Sequence, residues 1–125
     1  MRIHHIGIAC ADIEEALDCL MLTHKGTKRT PTVYDELQQA SLCLVTTAEG
    51  VTFELVSGKY TAGFVKKGIA YYHVCYSVPD LERTIDELAG AGAMLFVPPK
   101  PAVLFGGRRV AFLMTRIGMI ELLQE

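Results

Sequence analysis

A surplus of charge of either sign is the first thing this chain lacks. Lys and Arg total 12 and Asp and Glu total 14, so the formal net charge of the 125 residues is −2 at pH 7. That leaves no basic field for nucleic acid and no polybasic patch for a membrane surface. No apolar run approaches the length of a bilayer span, and no apolar signal region precedes the first strand, which begins at Arg2. Paired cysteines are also missing. Cys10, Cys19, Cys43 and Cys75 are widely spaced, form no C-x-x-C, and sit in apolar segments where a reduced thiol packs as a small hydrophobe. These absences predict a soluble protein of a reducing compartment, the cytoplasm, with core thiols and with neither nucleic acid nor membrane as partner.

What the chain does have is apolar mass: half of it, 50%, is hydrophobic. That excludes disorder, and the length suits one domain with a real core. Within that domain the sequence repeats itself. A shift of sixty-eight positions (5 to 73) aligns His5 with His73, Ile6 with Val74, Asp12 with Asp80, Ile13 with Leu81, Glu14 with Glu82, Asp18 with Asp86 and Leu20 with Leu88. Both copies change period at the same place. Up to Cys10 and Val78 the runs are strand-like, and afterwards Ile13, Leu17 and Leu20, or Leu81, Ile85 and Leu88, recur at helical spacing. Asp12 and Asp80 stand where helix N-caps belong, Glu15 completes a capping box with Asp12, and Pro79 fixes the approach to the second helix.

The later parts match as well. "LCLVTTAEGVTFELV" and "VAFLMTRIGMIELL" each read as two strands around a turn, which makes Glu54 and Glu121 equivalent once a one-residue deletion near Thr115 to Gly118 is allowed. With further strands in Thr27 to Tyr34 and Ala93 to Val97, each half is βαβββ. The fold class is therefore α+β, a single domain of two modules, about 1–57 and 68–125, joined by a Gly- and Lys-rich linker at 58–67. Two copies are too few for a solenoid; two modules forming one cleft is the simpler reading.

Each module offers a histidine on its first strand and a glutamate on its last. Strand alternation puts His5 with Ile3, Gly7 and Ala9, and Glu54 with Thr52 and Val56, while Ile6, Ile8, Val51, Phe53 and Leu55 take the opposite, helix-covered face. A carboxylate in "TFELVSG" or "MIELLQE" is hard to bury without a partner, since that costs roughly several kcal/mol. Either glutamate alone would be explained by a wet cleft or by Arg108 and Arg109. Two histidines and two glutamates at repeat-equivalent positions point instead to one divalent metal ion. Four mixed N and O ligands leave two positions of a six-coordinate ion open, which suits nickel, cobalt or zinc, with iron or manganese also admitted.

These motifs resemble the vicinal oxygen chelate superfamily, which includes glyoxalase I, methylmalonyl-CoA epimerase, extradiol dioxygenases, and fosfomycin and bleomycin resistance proteins. His5 in "HHIGIA", Glu54 in "FELV", His73 in "YYHVCY" and Glu121 in "IELLQ" fall on that family's four ligand positions. The resemblance implies a partly open mixed β-barrel around the metal, often within a homodimer. "IHHIGIA", "GGRRVAFL" and "IELL" look most like the epimerase branch, whereas a glutamate at 54 is the glyoxalase I choice. Leu42 stands where the epimerases carry one of two catalytic glutamates, and Ala9 and Gly58 stand where glyoxalase I has its glutathione-binding arginine and asparagine.

A metal that withdraws charge from a bound carbonyl acidifies the neighbouring carbon and stabilises an enediolate. The expected activity is accordingly a metal-dependent isomerase or lyase acting on a small molecule, with Glu121 or Glu54 as the base. Arg108 and Arg109 would bind a carboxylate or phosphate of the ligand, Tyr71 would line the pocket, and "FVPPKPAVLFGGRR" would form a covering loop. A binding protein without chemistry, and a dimeric scaffold built on a relic site, are the competing expectations.

Overall fold

A computed structural model describes all residues, Met1–Glu125. It contains β1 (Arg2–Ala9), α1 (Ile13–Thr23), β2 (Lys28–Arg29), β3 (Val33–Asp35), β4 (Ala40–Thr46), β5 (Thr52–Gly58), α2 (Ala62–Lys66), β6 (Tyr71–Val78), α3 (Leu81–Gly90), β7 (Met94–Pro101), β8 (Arg109–Thr115) and β9 (Gly118–Gln124), with a 3-10 turn at Val103–Phe105. The α+β class and the doubled βαβββ order are as the sequence predicts. The chain forms two compact units, His5–Tyr72 and Met1–His4 with His73–Glu125. No helix is long and apolar enough to cross a membrane.

In the unit His5–Tyr72 the strands run in the order β2-β4-β5-β1, with β3 also on β4. β1 and β5 are parallel, and β4 and β5 form an antiparallel hairpin. Helix α1 buries Ile13, Leu17 and Leu20 against Ile8, Cys43, Val45, Phe53 and Leu55, the alternate residues of one sheet face. The other unit repeats this plan in the order β6-β9-β8-β7. Its helix α3 packs Leu81 and Ile85 on Val78, Ala111, Leu113, Ile120 and Leu122.

Both helices start as their sequences dictate. Asp12 Oδ1 accepts from the Glu15 amide at 2.9 Å, and Asp80 Oδ1 accepts from the Arg83 amide at 3.1 Å. Each cap contributes about 1 kcal/mol. The next acidic residue is also used alike in both units: Arg29 grips Glu14 at 2.6 and 2.8 Å, and Arg109 grips Glu82 at 2.6 and 3.0 Å.

Four departures have physical causes. The strand expected over Thr27 to Tyr34 is split into β2 and β3, because Pro31 has no amide to donate; the Thr30 hydroxyl accepts from the Leu44 amide at 3.0 Å across the break. The segment expected as a plain linker carries α2, whose single turn is too short to give a periodicity signal, and whose Phe64 ring lies 5.2 Å from that of Tyr72. Of the four expected core thiols, Cys43 and Cys75 are buried, Cys10 is half-buried and Cys19 is exposed on the outer side of α1. The expected covering loop is strand in its first part, since β7 runs on through Pro101; β7 is the last strand of its sheet, and Pro98 and Pro99 fall where its pairing with β8 shifts register.

Candidate functional site

In each unit the first and last strands of the βαβββ motif are parallel neighbours, which sets the site. Gly7 lies opposite Glu54, so His5, two residues earlier on β1, is the diagonal neighbour of Glu54 on the same face. Cys75 lies opposite Glu121, and His73 is two residues before Cys75. The histidine-to-glutamate offset is thus identical in the two units. His5 Nε2 is 3.7 Å from Glu54 Oε1, and His73 Nε2 is 3.0 Å from Glu121 Oε2.

These pairs are almost dry: His5 is 1%, Glu54 3%, His73 3% and Glu121 2% exposed. Their flanks are apolar. Leu44 is the β4 partner of Glu54, Phe112 is the β8 partner of Glu121, and the Phe112 ring meets the His73 ring edge-on with centroids 5.4 Å apart. An imidazole nitrogen and a carboxylate oxygen held this close in a dry setting form a donor set that fits a divalent cation, which would also offset the cost of burying the carboxylate.

The profile of the Glyoxalase/Bleomycin resistance protein/Dioxygenase superfamily matches residues 4–112. The chain belongs to that superfamily. Within this superfamily the chain is similar to an ethylmalonyl-CoA/methylmalonyl-CoA epimerase of Cereibacter sphaeroides, 30% identical over 118 residues that cover 90% of this chain and 87% of the relative. Its fold is that of the methylmalonyl-CoA epimerase from Mycobacterium tuberculosis, with a TM-score of 0.81 at 20% identity, covering 98% of this chain and 87% of that one. A hypothetical protein from Bacillus halodurans C-125 is similar at a TM-score of 0.83 and 23% identity, covering 99% of this chain and 94% of that one.

The other residues singled out from the sequence fall in different places. Tyr71, two residues before His73 on β6, is 69% exposed. Arg108 precedes β8 in phase with Val110 and Phe112, the glutamate-bearing face, and its Nε donates to the Gln124 carbonyl at 2.8 Å. Arg109 is brought to the opposite, helix-side face with Ala111 and Leu113, where Glu82 engages its guanidinium; that contact raises the Arg109 pKa and lowers that of Glu82. Sequence reasoning missed Lys100, half-buried and opposite Val110 on the face of Phe112. Two register shifts in the β7–β8 ladder hide that phase from any alternation count.

Proposed function

We propose that this chain is a divalent-metal-dependent isomerase or lyase that moves a proton next to a carbonyl, with His5, Glu54, His73 and Glu121 holding one ion. The observation that carries the reading is the identical diagonal offset of a buried histidine and a buried glutamate on both parallel strand pairs. Nickel, cobalt and zinc suit two imidazoles with two carboxylates best, and iron and manganese also fit. The name of the 30%-identical relative supports an acyl-CoA thioester as the substrate class.

When bound, the ion would supply electron withdrawal at a substrate carbonyl. The remaining work belongs to the chain's own groups. His5 and His73 position their neighbouring carboxylates, Glu121 or Glu54 takes the proton at a carboxylate oxygen, and Leu44 and Phe112 keep water from the carboxylates. Tyr71 lines the approach and Arg108 meets the ligand. A homodimer belongs to the same reading, because Met94, Leu95 and Phe96 stand exposed along edge strand β7, where a second copy would cover them. So does a cytoplasmic location, which suits four free cysteines.

The test has two stages. Metal analysis of protein purified without chelator should find about one divalent ion per chain, as four donors of this kind require. Exchange of substrate protons in D2O is then followed over acyl-CoA thioesters, hemithioacetals and keto sugars. Exchange with a thioester that disappears in Glu54→Gln and Glu121→Gln is the expected result. Full activity in both variants, or protein that neither contains nor binds metal, would overturn the proposal. A second reading, a non-catalytic small-molecule-binding protein, draws on one observation: Leu42, with no exposed surface, stands where the epimerase branch carries a catalytic carboxylate. Metal binding and tight ligand binding without exchange would favour it.

A further inference from the structure

Outside the histidine–glutamate pairs, one end of the β6-β9-β8-β7 sheet concentrates unspent positive charge. The arginine ion pairs of this chain are Arg29 with Glu14, Arg83 with Glu87 and Arg109 with Glu82. Arg108 and Lys100 have no such partner. Glu125, the carboxylate next along the chain from Gln124, forms an ion pair with neither. The two cations share a face: Lys100 is the cross-strand partner of Val110, and Arg108 lies two residues before Val110. As diagonal neighbours their backbones stand about 7–8 Å apart, within joint reach of a single oxyanion.

The chain also holds Arg108 in place. Residues 102 to 108 close into a tight turn in which the Ala102 amide donates to the Arg108 carbonyl at 3.0 Å, the Gly107 amide to the Ala102 carbonyl at 3.0 Å and the Arg108 amide to the Phe105 carbonyl at 3.2 Å. Gly106 and Gly107 have φ of 66° and 83°, the left-handed region where a side chain is strained, so the turn needs both glycines. Phe105 is buried beneath it and meets the His4 ring edge-on at 5.4 Å. With Nε spent on the Gln124 carbonyl, the guanidinium keeps its two terminal nitrogens for a ligand.

From these contacts we infer that Arg108 and Lys100 form an anion subsite for the phosphorylated end of the substrate. Distance separates this subsite from the reacting carbon. Gln124 lies three residues beyond Glu121 on β9, which is about 10 Å of extended strand. A carboxylate on the carbon next to the reacting one is too near to span that gap, whereas a phosphate on a long thioester arm is not. The inference rests on the thioester reading above and extends it to a specificity-determining pair, with phosphate or a distal carboxylate as the shared chemistry.

Binding of nonreactive probes by titration calorimetry tests this without turnover or added metal, so its failure is distinct from failure of the proton-transfer reading. The probes are coenzyme A, pantetheine, which has the arm but no phosphate, and glutarate, which has carboxylates only. Coenzyme A should bind wild type more tightly than pantetheine, and Arg108→Gln and Lys100→Gln should each weaken it at least about tenfold, the scale of a lost charge-assisted contact. Arg116→Gln, an equal change of charge in the turn at the far end of β8, should not. Selective loss of glutarate binding in the same two variants would assign the subsite to a carboxylate. Equal affinity of both variants and wild type for all three probes, or no binding of any probe by wild type, would overturn it.

Discussion

Replacement of Glu121 by glutamine separates a metal ligand from a merely structural carboxylate through the size of the shift in melting temperature that metal induces. Glu121 is 2% exposed with His73 Nε2 at 3.0 Å. Without metal, glutamine keeps the size of the side chain but breaks the buried contact with His73, so apo Glu121→Gln should melt below apo wild type, and each protein is therefore compared with its own metal-free form. With metal at 100 times its dissociation constant, wild type gains about 2.7 kcal/mol, and for a domain of this size that is a rise of about 8–16 °C in Tm. Losing a hydrogen-bonding neighbour of a metal ligand already costs up to about 100-fold in affinity, and losing a charged ligand costs at least as much. At the same metal concentration the variant then keeps only about 0.4 kcal/mol, or roughly 1–3 °C. The assay is a thermal melt with and without Ni²⁺, Co²⁺ or Zn²⁺ after removal of residual metal. An equal metal-induced shift in variant and wild type would refute ligation by Glu121, and no shift in wild type would refute the metal site.

Three further outcomes follow from the packing. Burial pushes the Cys10 thiol from 9.0 up to about 11, against a smaller lowering by a backbone hydrogen bond with Val56. The stability linked to this group is therefore complete below pH 9 and is lost as pH rises through 11. At pH 8, iodoacetamide should accordingly label exposed Cys19 first and leave Cys10, Cys43 and Cys75 until the chain unfolds; mass spectrometry showing Cys10 modified as fast as Cys19 would contradict this. Asp80→Ala should cost about 1 kcal/mol and about 3–6 °C in Tm by removing the cap on α3, and an unchanged melt would contradict the cap's assigned role. Gly58→Ala drives a Cβ into the Gln39 carbonyl and to 2.6 Å from Ala40 Cα, so it should destabilise far more than Gly63→Ala, whose Cβ meets nothing within 4 Å. Denaturant midpoints rank the two variants, and the reverse order would be incompatible with this packing.

Much of the fold was legible because its signals are local. Capping aspartates at 12 and 80, the switch from strand to helix period after Cys10 and Val78, and the repeat linking His5 to His73 all act over a few residues, and the structure realises each one. The phase of β1 and β5 was legible too, since apolar alternation assigns Ile8, Phe53 and Leu55 to the helix side and leaves His5 and Glu54 on the other. Less could be read where pairing overrides local pattern. The interruption at Pro31, the single turn of α2 and the exposure of Cys19 depend on what lies opposite them.

Residue types and their order therefore determined two βαβββ units with a histidine and a glutamate apiece, because periodicity and capping are properties of neighbouring residues. Which partner each of those residues met was decided only by the folded chain. Register fixed the shared diagonal of His5 with Glu54 and of His73 with Glu121. Alternation turned Arg109 toward Glu82 on α3, and bulges in the β7–β8 ladder turned Lys100 toward the face of Arg108. Adjacent residues on a strand point to opposite faces, and a single register shift reverses them, so these assignments come from long-range pairing rather than from the order of the letters.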